Sequence, residues 1–249
     1  MLPAAFLDRP IAHRALHDIA AGRPENSRAA VKAAIAAGYG IEIDLQLSRD
    51  DRAMVFHDYD LGRLTGQPGP LRQQSAQTLT GTPLLHGAEG IPGFAEVLEL
   101  VAGQVPLLVE IKDQDGAMGP DVGVLEHAAV QALQGYTGPV ALMSFNPHSV
   151  AELARLAPDI PRGMTTCDFA AKDWPTVPDA RRAELRDIPD YDHVGASFIS
   201  HNWRFLDTPR VAQLAQAGAA ILCWTTRSPK EDAIARRVAA NVTFEGYAA

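Results

Sequence analysis

Cysteine is nearly absent: Cys167 and Cys223 are the only two in 249 residues. They match no zinc spacing and form no disulfide framework. Two lone thiols suit a reducing compartment, with one disulfide left open as the alternative. Runs of Lys or Arg are also missing, and the formal net charge is −8. That balance argues against nucleic acid or an anionic membrane surface as the main partner. A small anion held by a few local cations stays compatible. No window approaches the roughly 18 consecutive apolar residues of a membrane span. Near the N-terminus, Asp8 and Arg9 interrupt the only apolar piece and no basic segment precedes it, so no secretory leader is expected. The expectation is a soluble, cytoplasmic protein without stable membrane insertion and of open oligomeric state. GxGxxG and Walker loops, low-complexity segments and sequence repeats are absent as well.

What is present centres on Gly40 to Asp58, GIEIDLQLSRDDRAMVFHD. Ile41, Ile43 and Leu45 alternate with Glu42 and Asp44, as on a strand with the acids on one face. Two carboxylates two residues apart lie roughly 6.5–7 Å apart along a strand. If that face is buried, both need a partner, and a divalent metal is one. The polar SRDDR is turn-like, and Ala53 to Phe56 then leads into His57. One hairpin would so gather two acids and a histidine. Taken alone, the stretch also describes a surface-facing acid pair with an unrelated histidine.

At 47% hydrophobic residues, this length builds one large α/β domain or two small ones. Strand candidates lie near Ile11, Ile43, Val109, Leu142, Gly163, Gly195 (Val194 to Phe198), Leu222 and Thr243, alternating with helices. Ser27 to Ala37 has an N-cap at Asn26 or Ser27 and a stop at Gly38. Asn146-Pro147, Thr208-Pro209 and Ser228-Pro229 open further helices, the last running to about Ala239. Eight βα units in about 250 residues predict a (β/α)8 TIM barrel rather than a doubly wound open sheet. Leu61 to Gly90 breaks the rhythm. It is expected to be a small insertion at about 61–90, lying over the site of a single 1–249 catalytic domain.

Active sites of such barrels lie at the C-terminal strand ends. Those ends carry His13 and Arg14, Glu42 and Asp44 with His57, Glu110 and Lys112, Ser144 and Phe145, Trp224, and Glu245. Each residue has an ordinary alternative: a satisfied histidine, a structural Glu110–Lys112 pair, a packing tryptophan. Three acids, two histidines and two cations on the first three strands favour a site. His17, His86, His127, His148 and His193 lack companions and are assigned to surface or loops. His201-Asn202, just past the expected sixth strand, is a weaker rim candidate.

The segments HRA (13–15), PENS (24–27), EIDLQLSRDDRAMVFHD (42–58), LGRLTG (61–66), VEIK (109–112), SFN (144–146) and CWTTR (223–227) together resemble the glycerophosphodiester phosphodiesterases. The resemblance spans nearly the whole chain and implies a metal-dependent (β/α)8 barrel with a small insertion after the second strand region. It further implies that Glu42, Asp44 and Glu110 bind a divalent metal, Mg2+ or Ca2+. His13 and His57 would be acid and base, and Arg14 and Lys112 would hold phosphate. Phe145 and Trp224 are weaker candidates for a substrate wall. The implied reaction converts a small-molecule glycerophosphodiester to sn-glycerol 3-phosphate and an alcohol. A lysophospholipid-type diesterase and a non-catalytic phosphate-binding barrel are the alternatives. Two departures stand out. Ala15 replaces a usual glycine, which is tolerable where the backbone needs no positive φ. Thr243-Phe244-Glu245-Gly246-Tyr247 replaces a usual Thr-Asp-x-Pro, leaving the role of Glu245 open.

Overall fold

Eight parallel strands close into a barrel in the computed structural model, which describes residues 1–249. They are β1 (Ile11–Ala12), β2 (Gly40–Leu47), β4 (Leu107–Ile111), β5 (Val140–Ser144), β6 (Arg162–Thr166), β7 (Phe198–Asn202), β8 (Ala220–Thr226) and β9 (Asn241–Phe244). The short β3 (Ala53–Val55) pairs antiparallel with β2 and stands outside the ring. Closure comes from β1, whose Ile11 and Ala12 register with Gly40 and Ile41 on one side and Thr243 and Phe244 on the other. Helices cross between successive strands, as the chain order requires for parallel neighbours.

Alternation along the strands divides the core in two. Ile41, Ile43, Leu45, Leu107, Val109 and Ile111 face outward and bury against helix residues such as Val31, Ala34, Val97 and Val101. The inward set is smaller and layered. At the bottom, Ile11, Leu108, Ala141, Phe198 and Leu222 enclose Phe6. Phe6 belongs to the short helix Ala5–Asp8, which plugs the N-terminal face. Asn241 Nδ2 holds the plug, donating to the carbonyls of Phe6 at 2.7 Å and Arg9 at 2.6 Å. Above this apolar floor the inward positions turn polar, with Glu42, Asp44 and Glu110.

Gly163 on β6 shows how tightly the floor is filled. It registers with Phe198, and a Cβ at 163 would lie 2.4 Å from that ring. Gly163→Ala should therefore destabilise the protein by about 1–3 kcal/mol through overpacking. Urea unfolding with an unchanged m-value checks this.

Three sequence expectations need correction. The strand expected at Val194 to Phe198 begins where that stretch ends. Gly195 has φ 61° and sits in a turn closed by Val194 N to Asp190 O and Gly195 N to Asp192 O, so pairing starts only at Phe198. The helix after Ser228 ends at Ala235, where Arg237 and Val238 donate three residues back instead of four. The insertion does not roof the barrel. Gly62–Thr65, Leu71–Gln73 and Ala76–Thr80 are its helical turns. Leu61, Leu64, Leu71, Leu79 and Leu84 bury with Met54, Phe56 and Ile91 in a separate small core against β3. Glu89 ties its end to the helix Arg28–Ala37 by accepting from Ala29 N at 2.9 Å.

Candidate active site

Glu42 and Asp44 are inward neighbours on β2, and Asp44 registers with Glu110 on β4. Ligand oxygens of all three lie within 4.8 Å of one another, and all three side chains are buried. Lys112 Nζ reaches Asp44 Oδ1 at 2.8 Å and Glu110 Oε1 at 2.6 Å. Arg14 Nε stands 3.5 Å from Asp44 Oδ2, while Arg14 Nη1 donates to Glu25 Oε1 at 2.7 Å. Asn26 Nδ2 donates to Asp44 Oδ2 at 2.9 Å. Asp44 is thus heavily compensated. Burial would raise its pKa, but Lys112, His57 and Arg14 together hold it well below the usual carboxylate range. Burial would lower the pKa of Lys112, but the carboxylates of Asp44 and Glu110 hold it above its ordinary value.

Glu42 is the opposite case. Its only hydrogen-bond donor is the Arg14 backbone N–H, 2.8 Å from Oε2. Burial, with the charges of Asp44 and Glu110, pushes its pKa well up. Three interior carboxylates therefore face two cations, one of them shared with Glu25. A divalent cation is the partner this set lacks, and an all-oxygen donor set is what a hard ion takes. The residues present fit such an ion.

Two histidines flank the carboxylates. His13 follows β1 and donates from Nδ1 to Glu245 Oε2 at 2.5 Å. His57 follows β3 and donates from Nδ1 to Asp58 Oδ1 at 2.6 Å. Both carboxylates are held deprotonated. Burial would raise each pKa, but the His13 and His17 contacts and Arg227 depress Glu245, and His57 and Arg63 depress Asp58. Each ring therefore carries its proton on Nδ1 and, when neutral, offers the Nε2 lone pair. Burial lowers the His13 pKa, aided by Arg14 and opposed by Glu245.

The same backbone detail corrects the expectation for residue 15. Arg14 has φ 51° and Ala15 φ 64°. The position does require positive φ, and alanine holds it at an intrinsic disadvantage of roughly 1–2 kcal/mol. The bend aims Arg14 N at Glu42 Oε2 and Ala15 N at the Glu42 carbonyl, 2.9 Å away.

A cavity of about 140 Å³ opens over these groups, lined by all seven residues from the first three strands. Phe145, just past β5, and Trp224, on β8, line it too, so both weaker wall candidates are at the site. Thr165, Ser200 and Thr243 add hydroxyl oxygens that are buried without a protein partner. An adjoining cavity of about 560 Å³ lies between Tyr59, Met118, Phe145, Trp174 and Trp224. No residue of 61–90 lines either cavity.

Some contacts around the site have no clear sequence signal. Glu245 has its role only through pairing with His13, which is 232 positions away. Arg227 joins it, donating from Nε to Glu245 Oε1 at 2.7 Å. Glu25 lies inside the PENS segment, yet its tie to Arg14 and Arg63 is purely tertiary. His17, assigned to surface or loop, sits 3.6 Å from Glu245 Oε2.

His201 is a structural residue. Its Nδ1 accepts from Thr166 Oγ1 at 2.7 Å and its Nε2 donates to the Phe205 carbonyl at 3.1 Å. Burial lowers its pKa to about 4. The unfolded imidazole takes up a proton near pH 6.5, the folded one only near 4, so between those values the unfolded state binds more protons. Stability must then fall as pH falls, by about 3 kcal/mol across that window. Urea unfolding at several pH values should show this loss in the wild type, and His201→Gln should lack that component.

The sequence profile of the glycerophosphoryl diester phosphodiesterase family matches residues 13–243. The glycerophosphodiester phosphodiesterase of Caldanaerobacter subterraneus subsp. tengcongensis is 30% identical over 151 residues, covering 57% of this chain and 60% of that protein. The match thus spans less than two thirds of that relative's length. Among solved structures, a phosphodiesterase of Oleispira antarctica, in complex with the product sn-glycerol 3-phosphate, has a TM-score of 0.75 at 23% identity, covering 97% of this chain and 94% of that one. A glycerophosphodiester phosphodiesterase from Parabacteroides distasonis has a TM-score of 0.75 at 20% identity, covering 94% and 91%. At these identities the structural likeness establishes the fold. No helix of the chain is long and apolar enough to cross a membrane.

Proposed function

The chain belongs to the glycerophosphoryl diester phosphodiesterase family, and on that premise we propose that it hydrolyses glycerophosphodiesters to sn-glycerol 3-phosphate and an alcohol. One observation carries the reading. Two imidazoles, each with Nδ1 anchored on a carboxylate, border one cavity that also holds three acids, Lys112 and Arg14. A binding module needs no such acid–base pair. We read residues 1–249 as one catalytic unit and, from the two free buried thiols, assign it to the cytoplasm.

In this reading Glu42, Asp44 and Glu110 hold Mg2+ or Ca2+. When bound, such an ion polarises the phosphate and eases deprotonation of a hydroxyl or water. The remaining work belongs to the chain. Arg14 and Lys112 offset the phosphate charge, Arg14 by paired N–H donors and Lys112 as a point charge. One histidine Nε2 takes the proton of the nucleophile, and the other returns one to the departing alcohol oxygen. The nucleophile is the neighbouring glycerol hydroxyl, giving a cyclic phosphate that water opens, or water itself. The unpartnered hydroxyls of Thr165, Ser200 and Thr243 are available to the glycerol. The aromatic cavity beside Lys112 receives the alcohol portion. Because that wall is aromatic, an acylated diester of the lysophospholipid type is the second reading.

The test is release of glycerol 3-phosphate from glycerophosphocholine and glycerophosphoethanolamine, with Mg2+, with Ca2+ and with a chelator, alongside Glu42→Ala. Turnover should need the metal and be lost in the variant. A folded protein that turns over only an acylated diester would establish the second reading. One that turns over neither substrate under any metal would leave the non-catalytic barrel.

A further inference from the structure

We propose that His13, His17 and Glu245 form a second metal site, for a borderline transition ion of the Zn2+ class, and that filling it switches His13 off. One ring nitrogen each of His13 and His17 and a Glu245 carboxylate oxygen lie within 4.8 Å of one another. They converge on a single atom. Glu245 Oε2 is 2.5 Å from His13 Nδ1 and 3.6 Å from His17 Nε2. The second distance is too long for a hydrogen bond, and His17 Nε2 is buried with no partner at all. A buried nitrogen left unsatisfied beside a carboxylate calls for an explanation, and a shared ion supplies one.

The local backbone builds the arrangement. His13 and His17 are four residues apart on a segment that is not a helix. The left-handed residues Arg14 and Ala15 fold it back, and His17 N closes onto the Ala15 carbonyl at 2.9 Å. Both rings are thereby turned onto the end of β9.

Donor chemistry separates this site from the carboxylate set. Two imidazoles and one carboxylate suit Zn2+ and its neighbours in the first transition row. Mg2+ and Ca2+ prefer oxygen throughout. Two nearby cations oppose the ion. Arg227 pairs with the other Glu245 oxygen but is half exposed and can swing away. Arg14 is held on Glu25 and Asp44. The binding step is balanced simply. The ion takes the His13 Nδ1 lone pair, the His17 Nε2 lone pair and Glu245 Oε2. The proton that His13 Nδ1 shared with Glu245 is released and Nε2 of the same ring takes one up, a change of tautomer with no net proton lost. No electron is transferred.

The consequence follows from the ring. With Nδ1 on a metal, the ring's one proton sits on Nε2 instead, which then has no lone pair with which to accept a proton and holds the one it has through the neutral range. That consequence rests on the role proposed above for His13, whereas the binding itself does not.

The experiment titrates Co2+ into the chelator-stripped full chain with Mg2+ in excess to occupy the carboxylates. Visible d–d absorption and calorimetry report binding. One equivalent should give tetrahedral Co2+ bands that Zn2+ abolishes. His17→Gln, a partly exposed position, should weaken Co2+ binding at least about tenfold, since even outer partners of metal ligands are worth that much. Absence of the bands in the wild type, or bands of equal affinity in His17→Gln, overturns the proposal. If the diesters are turned over, Zn2+ should inhibit the wild type and spare His17→Gln, each measured against its own rate without Zn2+. Equal inhibition of both would overturn the switch. Lack of turnover would count against the hydrolase reading alone and leave the Co2+ result standing.

Discussion

Lys112→Met should lower the stability of the metal-free protein by about 3–5 kcal/mol, among the larger losses a single substitution gives. Lys112 is enclosed between Asp44 and Glu110, at 2.8 and 2.6 Å, with only 11% of its side chain exposed. Methionine keeps most of the stem volume but leaves two buried carboxylates facing each other and Glu42. The loss is therefore electrostatic rather than a cavity effect. A divalent cation should restore part of it, because an ion between the same oxygens takes over the neutralising role. Binding to the native state alone at 100 times the dissociation constant adds about 2.7 kcal/mol. Urea unfolding with chelator and with Mg2+ measures both numbers. A loss under about 1 kcal/mol with chelator, typical of a solvent-screened pair, would refute the claim that these charges are desolvated.

His13→Ala should reduce kcat by about 10²–10⁴-fold, the usual range for a general acid or base, and His57→Ala should do the same. KM should move little, since neither ring is assigned to binding. A variant that retained most of its kcat would sink the two-histidine scheme. The leaving group then separates the roles. A nitrophenyl diester departs without protonation, so the variant lacking the acid should recover most of its rate on that substrate. The variant lacking the base should not. Both rings present the same half to the cavity, with Nδ1 fixed by a carboxylate. Geometry treats them alike, and the rescue experiment distinguishes them.

Much of the barrel was legible because strand alternation is a local signal. Glu42 and Asp44 among Ile41, Ile43 and Leu45 identify the inward face of β2, and Glu110 with Lys112 does so for β4. Caps were legible for the same reason. Ser27 accepts from Ala30 N, and Asn146, Thr208 and Ser228 each cap the helix expected after them. What escaped was long-range or conformational. Nothing near Glu245 marks it as the partner of His13, and nothing near His17 separates it from the other companionless histidines. The Gln- and Thr-rich composition of 61–90 shows a break in the rhythm but not the side of the barrel it covers. The left-handed backbone at Ala15 is hidden by a residue type that ordinarily avoids it. Gly195 looks like a strand centre in the sequence because its apolar neighbours outweigh the turn it makes.

The His13–Glu245 bond also bears on how the protein becomes competent. Its partners stand 232 residues apart and meet only where β1 zips onto β9. Contacts of such separation require loop closure over nearly the whole chain before they return any stabilisation. The carboxylate set belongs to β2 and β4 and can assemble within the first half of the sequence. The imidazole next to it cannot be oriented until the ring is shut. A refolding chain should therefore gain affinity for a hard divalent ion before it gains catalytic turnover. The interval between the two would time the final seam of the barrel.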